Sequence, residues 1–313
     1  MEATTVIWAA LAGGALGLLA AAAGGGSLLA VLSELAGWRR RFPFLRNFGQ
    51  QSVRLALYGL APWLCLLAAA GLLIQYLPGW TWLLPRILGM PELLALGLVF
   101  LAGGALTAAY AGTWKAMKKH PLSHCLIGLS GALCLNAGFA LALNTVLHGI
   151  RLEPGAAAGS PAFLSVWVPP AAGEFLWPAI AQALPHVLGG AGVLAMLVML
   201  LRRNRDDFGR DYYRFALPRA AQWSLLFVLQ GAGPIVAFHL NRPPAHAVGG
   251  LFMAFAAGAA VFLIGSAFLS LAVMRSSTPL RLKGTIVATC LTAWLGASSV
   301  LACQIWLWIP LEV

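Results

Sequence analysis

The chain consists of long apolar stretches separated by short polar connections. A helix of about 20 apolar residues crosses the roughly 30 Å hydrocarbon core of a bilayer. Eight stretches reach that length, and we predict membrane-spanning helices at residues 4–34, 53–78, 92–113, 124–149, 184–202, 216–240, 246–274 and 284–309. The pattern predicts an all-α, polytopic membrane helical bundle in which residues 1–313 form a single integral membrane domain.

Composition supports this interpretation. Hydrophobic residues make up 60% of the chain and charged residues only 9%, whereas a soluble domain has about 25% charged residues. Lipid is therefore the expected surrounding of most side chains. The first stretch has no basic leader and runs far beyond the apolar region of a signal peptide, so we expect it to be a retained helix.

The basic residues indicate the orientation in the membrane. All but three of the twenty Lys and Arg residues lie in the alternate connections at 39–54, 115–119, 202–219 and 275–283. Basic connections remain on the cytoplasmic side of a membrane. We therefore predict a bacterial inner membrane protein with both termini periplasmic. This distribution also explains the net charge of +11 without a nucleic-acid partner.

The longest connection, 150–184, lies on the predicted outer side. We interpret it as an interfacial segment whose second half, from Glu174, is a short amphipathic helix carrying Trp177 at the membrane surface. Inside the spans, small residues are frequent and predict close helix packing; examples are Gly13, Gly14, Gly24, Gly25, Gly26, Gly103 and Gly104.

Candidate chemistry is concentrated in the histidines. Four of the six, His148, His186, His239 and His246, fall at the predicted outer ends of spans. The five cysteines are scattered, and the absence of a CxxC or CxxCH sequence removes support for covalent haem or iron–sulfur ligation. A non-covalent metal centre near the outer face, most plausibly haem, is therefore expected.

His186 is the best candidate ligand. Gly189 and Gly190 lie three and four residues further on, so they share its helix face and leave room for a porphyrin. The alternative is an interfacial histidine beside glycines that serve only helix packing.

Met253 has a similar neighbourhood, with Ala256 and Ala257 on its helix face. Histidine with methionine is a known ligand pair for an electron-transferring haem. A methionine in an apolar helix is otherwise ordinary core. His246, two turns earlier, and His239 are competing ligands, and both are also compatible with helix capping or with contacts to haem propionates.

The predicted inner side carries little chemistry. His120 and His124 are interpreted as part of a solvated loop and helix start. Acidic residues are nearly absent from the spans, and Glu34 is assigned to a span edge. Proton pumps and ion-coupled transporters place carboxylates within the bilayer, so the sequence argues against both classes, as it does against a small-molecule transporter.

Residues 92–260 resemble subunit I of the cytochrome bd quinol oxidases. The basic turn at 114–119 and the following stretch that closes on Asn144 are similar to the passage between the third and fourth helices of that family. His186 and Met253 fall where the family carries the two ligands of its low-spin haem. The resemblance implies that this pair binds one haem b.

The sequence also departs from the family. The first span has no histidine, where the family ligates a high-spin haem, and Ala95 and Gly103 stand in place of glutamates. Leu251 replaces an arginine, the link from His239 to His246 is too short for the family's quinol-binding loop, and its Gly-Arg-Gln-Pro-Trp signature is missing. An oxygen-reducing site is therefore not expected.

These observations predict a membrane-bound b-type cytochrome subunit of the respiratory chain. It would transfer electrons between the quinone pool and a periplasmic multihaem c-type cytochrome or iron–sulfur subunit, as the quinol-oxidising or quinone-reducing part of a multi-subunit complex. Polar candidates for a quinone site are Arg151, Glu174 and Trp177. The alternative is a haem-free membrane anchor subunit of a respiratory redox complex.

Overall fold

The computed structural model describes residues 3–74, 76, 85, 88, 92–151, 172–204, 208–232, 235 and 249–308. These residues form eight α-helices and three short 3-10 helices, and they contain no strand. The α-helices are α1 (Ala3–Arg39), α2 (Pro43–Ile74), α3 (Glu92–Gly112), α4 (Pro121–Arg151), α5 (Ala172–Arg202), α6 (Gly209–Ser224), α7 (Gly250–Arg275) and α8 (Lys283–Trp308).

The predicted helical membrane bundle is confirmed. All of these helices except α6 are long and apolar enough to cross a membrane. Many large apolar side chains on them point outward; Trp8, Leu94, Leu101 and Phe268 are each more than 60% exposed. Lipid is the solvent that suits such a surface, so the chain is a multi-pass membrane protein in contact with lipid.

Three boundaries differ from the prediction. Helix α2 begins at Pro43, ten residues before the predicted start of span two at residue 53. The second half of the predicted interfacial segment, from Ala172, and span five form one continuous helix, α5. The start of predicted span six is α6, a 16-residue helix, followed by a 3-10 helix at Leu225–Gly231. Its first turns carry Arg210, Asp211 and Arg214, which shortens its apolar part.

Helix α1 is the centre of the bundle. It packs against α2, α4, α5 and α8, which requires small residues on several of its faces. A Cβ atom at Gly26 would lie 2.8 Å from the Ser52 carbonyl oxygen of α2, and one at Gly24 would lie 2.9 Å from the side-chain carbon of Asn136 of α4. The predicted close packing through glycine is therefore confirmed for α1.

The predicted basic connections meet at one end of the bundle, called here the basic end. Phe48, Tyr212, Val273 and Ile286, from α2, α6, α7 and α8, are buried in one cluster beside these connections. The α3–α4 connection joins the same end, because the ring of Trp114 would lie 3.2 Å from a Cβ atom at Gly49 of α2.

Candidate functional site

His186 lies about 24 Å from the basic end, since 16 residues of helix separate it from Arg202. Its Nε2 atom is 2.9 Å from the carbonyl oxygen of Gly17 on α1, and its Nδ1 atom is 2.8 Å from the side-chain oxygen of Gln230. The ring of Phe227 is 5.4 Å away, centre to centre. The imidazole is thus held between α1, α5 and the 3-10 helix.

The hydrogen bonds of this site can all be satisfied by a neutral imidazole. A carbonyl only accepts, so Nε2 carries the proton that is donated to Gly17. The side-chain nitrogen of buried Gln230 has no partner as placed. Rotating this amide by 180° lets its nitrogen donate to Nδ1. Both ring nitrogens of His186 are then occupied.

Neighbouring helices fill the face that the glycines were expected to leave open. A Cβ atom at Gly189 would lie 2.6 Å from the Cα atom of Phe227, and one at Gly190 would lie 2.7 Å from the Cβ atom of Ala21. Because these glycines have no side chain, the 3-10 helix and α1 can pack directly against α5. This is the packing role that the sequence left as the alternative.

A haem does not fit this arrangement. Iron needs a nitrogen lone pair that faces open space, and both nitrogens of His186 contact the protein. Helices α1 and α5 also touch through their backbones, because a Cβ atom at Gly25 would overlap the carbonyl oxygen of Val187. A porphyrin beside His186 would have to separate these helices.

Of the other predicted ligands, only Met253 has a side chain among the described residues. Met253 lies in the first turns of α7 with 57% of its surface exposed. His239 and His246 lie outside the described residues, as does the side chain of His148. The same holds for the side chains of the proposed quinone-binding residues, Arg151, Glu174 and Trp177.

A second polar site, which sequence reasoning missed, lies near the basic end. The carboxylate of Glu34 on α1 receives a hydrogen bond of 2.8 Å from the Tyr110 hydroxyl of α3. His124, near the start of α4, places Nδ1 2.8 Å from Oε2 of Glu34 and Nε2 2.9 Å from the Tyr110 carbonyl oxygen. Cys125 lies 3.7 Å from the same carboxylate oxygen.

This site corrects the interpretation of His124 and Glu34. His124 is fully buried and Glu34 is 1% exposed, so the histidine is not in a solvated loop and the acid is not at a solvated edge. The sequence argued against proton chemistry because acids are nearly absent from the spans. Buried Glu34 is such an acid, so this argument no longer holds. In the described part of the chain, no group of three or more His, Cys, Asp or Glu side chains is arranged to hold a metal ion.

Helical spacing gives the signal that would have found this site. Arg39 marks the end of α1, so Glu34 lies about 7.5 Å inside it. A lone acid at that depth needs a partner, and Tyr110 and His124 are polar residues at matching depths on the two helices that the 114–119 turn connects.

Comparison with known proteins gives no relative. No protein-family model, no curated protein and no solved structure matches this chain. The resemblance to cytochrome bd subunit I therefore stays a prediction from the sequence.

Proposed function

We propose that the chain is a haem-free integral-membrane subunit of a respiratory redox complex. In this proposal the redox centres belong to a periplasmic partner, a multihaem c-type cytochrome or an iron–sulfur subunit, and this chain anchors that partner beside the quinone pool. The resemblance of residues 92–260 to a quinol oxidase subunit supports the respiratory context. The orientation, with the basic end cytoplasmic and both termini periplasmic, follows the positive-inside rule.

One observation supports the haem-free form. His186, the best candidate ligand, has both ring nitrogens within 2.9 Å of protein atoms, and the helix face beside it is filled by α1 and Phe227. The site therefore suits a structural histidine that ties three elements together.

A b-type cytochrome with haem between His186 and Met253 is the second candidate. The observation that favours it is the contact between Nδ1 and Gln230, because a ligating histidine usually has its other ring nitrogen held by a hydrogen bond. Nε2 would then face the iron, and the contact with Gly17 would be lost.

Absorption spectra of the purified chain, expressed with ample haem, distinguish the two candidates. We expect no stoichiometric b-type α-band after reduction, for the wild type and for His186→Ala alike. One haem per chain, lost in both His186→Ala and Met253→Ala, would reject the haem-free proposal. The complex isolated from its native membrane is expected to contain haem c or iron–sulfur clusters in the partner subunit.

A further inference from the structure

The pair formed by Glu34 and His124 has no role in the proposed anchoring function. An ionisable pair that is almost entirely buried within a membrane bundle is costly, because each charge loses its hydration. Both side chains are buried, so the pair does not contribute to the lipid-facing surface of the bundle. Its geometry therefore calls for its own explanation.

The hydrogen-bond pattern requires one shared proton between these two side chains. Nε2 of His124 faces the Tyr110 carbonyl, which only accepts, so Nε2 is protonated. Nδ1 lies 2.8 Å from Oε2 of Glu34. Two lone pairs at that distance would repel, so a proton lies between them, either on the imidazole or on the carboxyl group.

The surrounding groups can also stabilise the site after that proton leaves. In the described part of the chain, the titratable groups beside the pair are Tyr110 on α3 and Cys125 on α4. The positive charge of Arg46 on α2 acts on both of them. The Tyr110 hydroxyl continues to donate to the bare carboxylate. The positive charge of Arg46 interacts with this cluster and offsets the negative charge left behind.

The aqueous phase at the basic end lies about one helical turn from His124. The backbone nitrogen of His124 donates to the carbonyl oxygen of His120, over 3.1 Å. His120 itself is exposed at the basic end, beside the exposed lysines Lys118 and Lys119. An imidazole exchanges protons with water near neutral pH, so His120 is the candidate carrier between water and this helix end.

We propose that Glu34 and His124 form a proton-binding site that exchanges one proton with the aqueous phase at the basic end through His120. Between the loaded and unloaded states, one proton leaves His124 Nδ1 or Glu34 Oε2 and passes to water. No other covalent bond changes, and Nδ1 and Oε2 lose their hydrogen bond and move apart. Proton binding does not depend on whether the chain holds haem. Reduction of a quinone consumes protons, and this site could supply one. That role rests on the proposed function, whereas proton binding at the site does not.

Nitrogen NMR of the full chain in lipid nanodiscs, with ¹⁵N-labelled histidine, tests this proposal. The His124 signals are identified by their absence in His124→Gln. In the wild type we expect the Nδ1 signal to move as the pH is raised, because Nδ1 goes from a nitrogen that shares the proton with Glu34 to one with a bare lone pair, whichever of the two groups carried the proton. In Glu34→Gln the His124 signals should be neutral throughout, because the new amide nitrogen donates to Nδ1 and the new amide oxygen still accepts from Tyr110.

A His124 Nδ1 signal that stays constant at every pH at which the protein remains folded would overturn the proposal and identify the pair as a static link between helices. The wild-type titration decides this even if Glu34→Gln fails to fold. His120→Ala is expected to slow proton exchange several-fold without moving the midpoint, whereas Lys118→Gln, its exposed neighbour, should leave both unchanged. An unchanged rate in His120→Ala would overturn the route through that residue.

Discussion

At the residue scale, two histidines show how polar side chains are accommodated inside this bundle. His186 connects α5 to the Gly17 carbonyl of α1 and to Gln230. His124 connects α4 to Glu34 of α1 and to the Tyr110 carbonyl of α3. Each ring therefore joins three elements, and α1 takes part both times. Where no water is available, a buried polar group must find its partner within the protein.

The contact between Gln230 and His186 gives a prediction about stability. Replacing the buried Gln230 by Leu leaves Nδ1 of His186 without a partner, and we expect a loss of about 0.6–2 kcal/mol, the range found for hydrogen bonds between membrane helices. Thermal unfolding in one detergent measures this loss. Gln222→Leu, on the exposed side of α6, is the control and should change stability by less than about 0.5 kcal/mol. Equal effects of the two variants would contradict the structural role of the contact.

At the element scale, α1 owes its central position to its composition. Its apolar and small residues are spread over the whole circumference, as expected of a helix enclosed by others. Four glycines of α1 meet three neighbouring helices: Gly13 meets α8, Gly17 and Gly25 meet the His186 ring and the backbone of α5, and Gly26 meets the α2 backbone. Side chains at these positions would hold the surrounding helices apart.

A pair of glycine substitutions tests this packing. In Gly25→Ala the new methyl group overlaps the Val187 carbonyl oxygen. We expect destabilisation by about 1–3 kcal/mol, the usual cost of overpacking. Gly97→Ala on α3 is the matched control, because no atom lies within 4 Å of its Cβ position. The control should be neutral or stabilising by up to about 1 kcal/mol, since alanine is the better helix former. A stable Gly25→Ala protein would show that α1 and α5 are not in backbone contact.

The elements also show what can be read from the sequence. Apolar length was enough to locate α1, α3 and α8 within a few residues, because a helix in lipid must satisfy its own backbone. It did not reveal that α6 passes into a 3-10 helix, since that change accompanies close contact of Phe227 with Gly189 on α5. The Glu34–His124 pair was missed for the same reason: its partners are 90 residues apart and meet only when α1, α3 and α4 pack.

At the scale of the whole molecule, the two buried polar sites lie in different halves of the bundle. Glu34 and Gly17 both lie on α1, and the 17 residues between them correspond to about 25 Å of helix. The proton-binding site and the His186 site therefore lie near opposite ends of the bundle. Which site faces the cytoplasm depends entirely on the orientation of the chain.

The charge distribution predicts that orientation. The basic end contains the α1–α2, α3–α4, α5–α6 and α7–α8 connections, with all but three of the Lys and Arg residues near them, so it should remain cytoplasmic. A peptide tag at the C-terminus should be cleaved when protease is added to cells with a permeable outer membrane. The same tag inserted after Ser277, in the α7–α8 connection, should be protected until the inner membrane is broken. Reversed accessibility would place His120 and the Glu34–His124 pair on the periplasmic side, so their proton would come from that compartment.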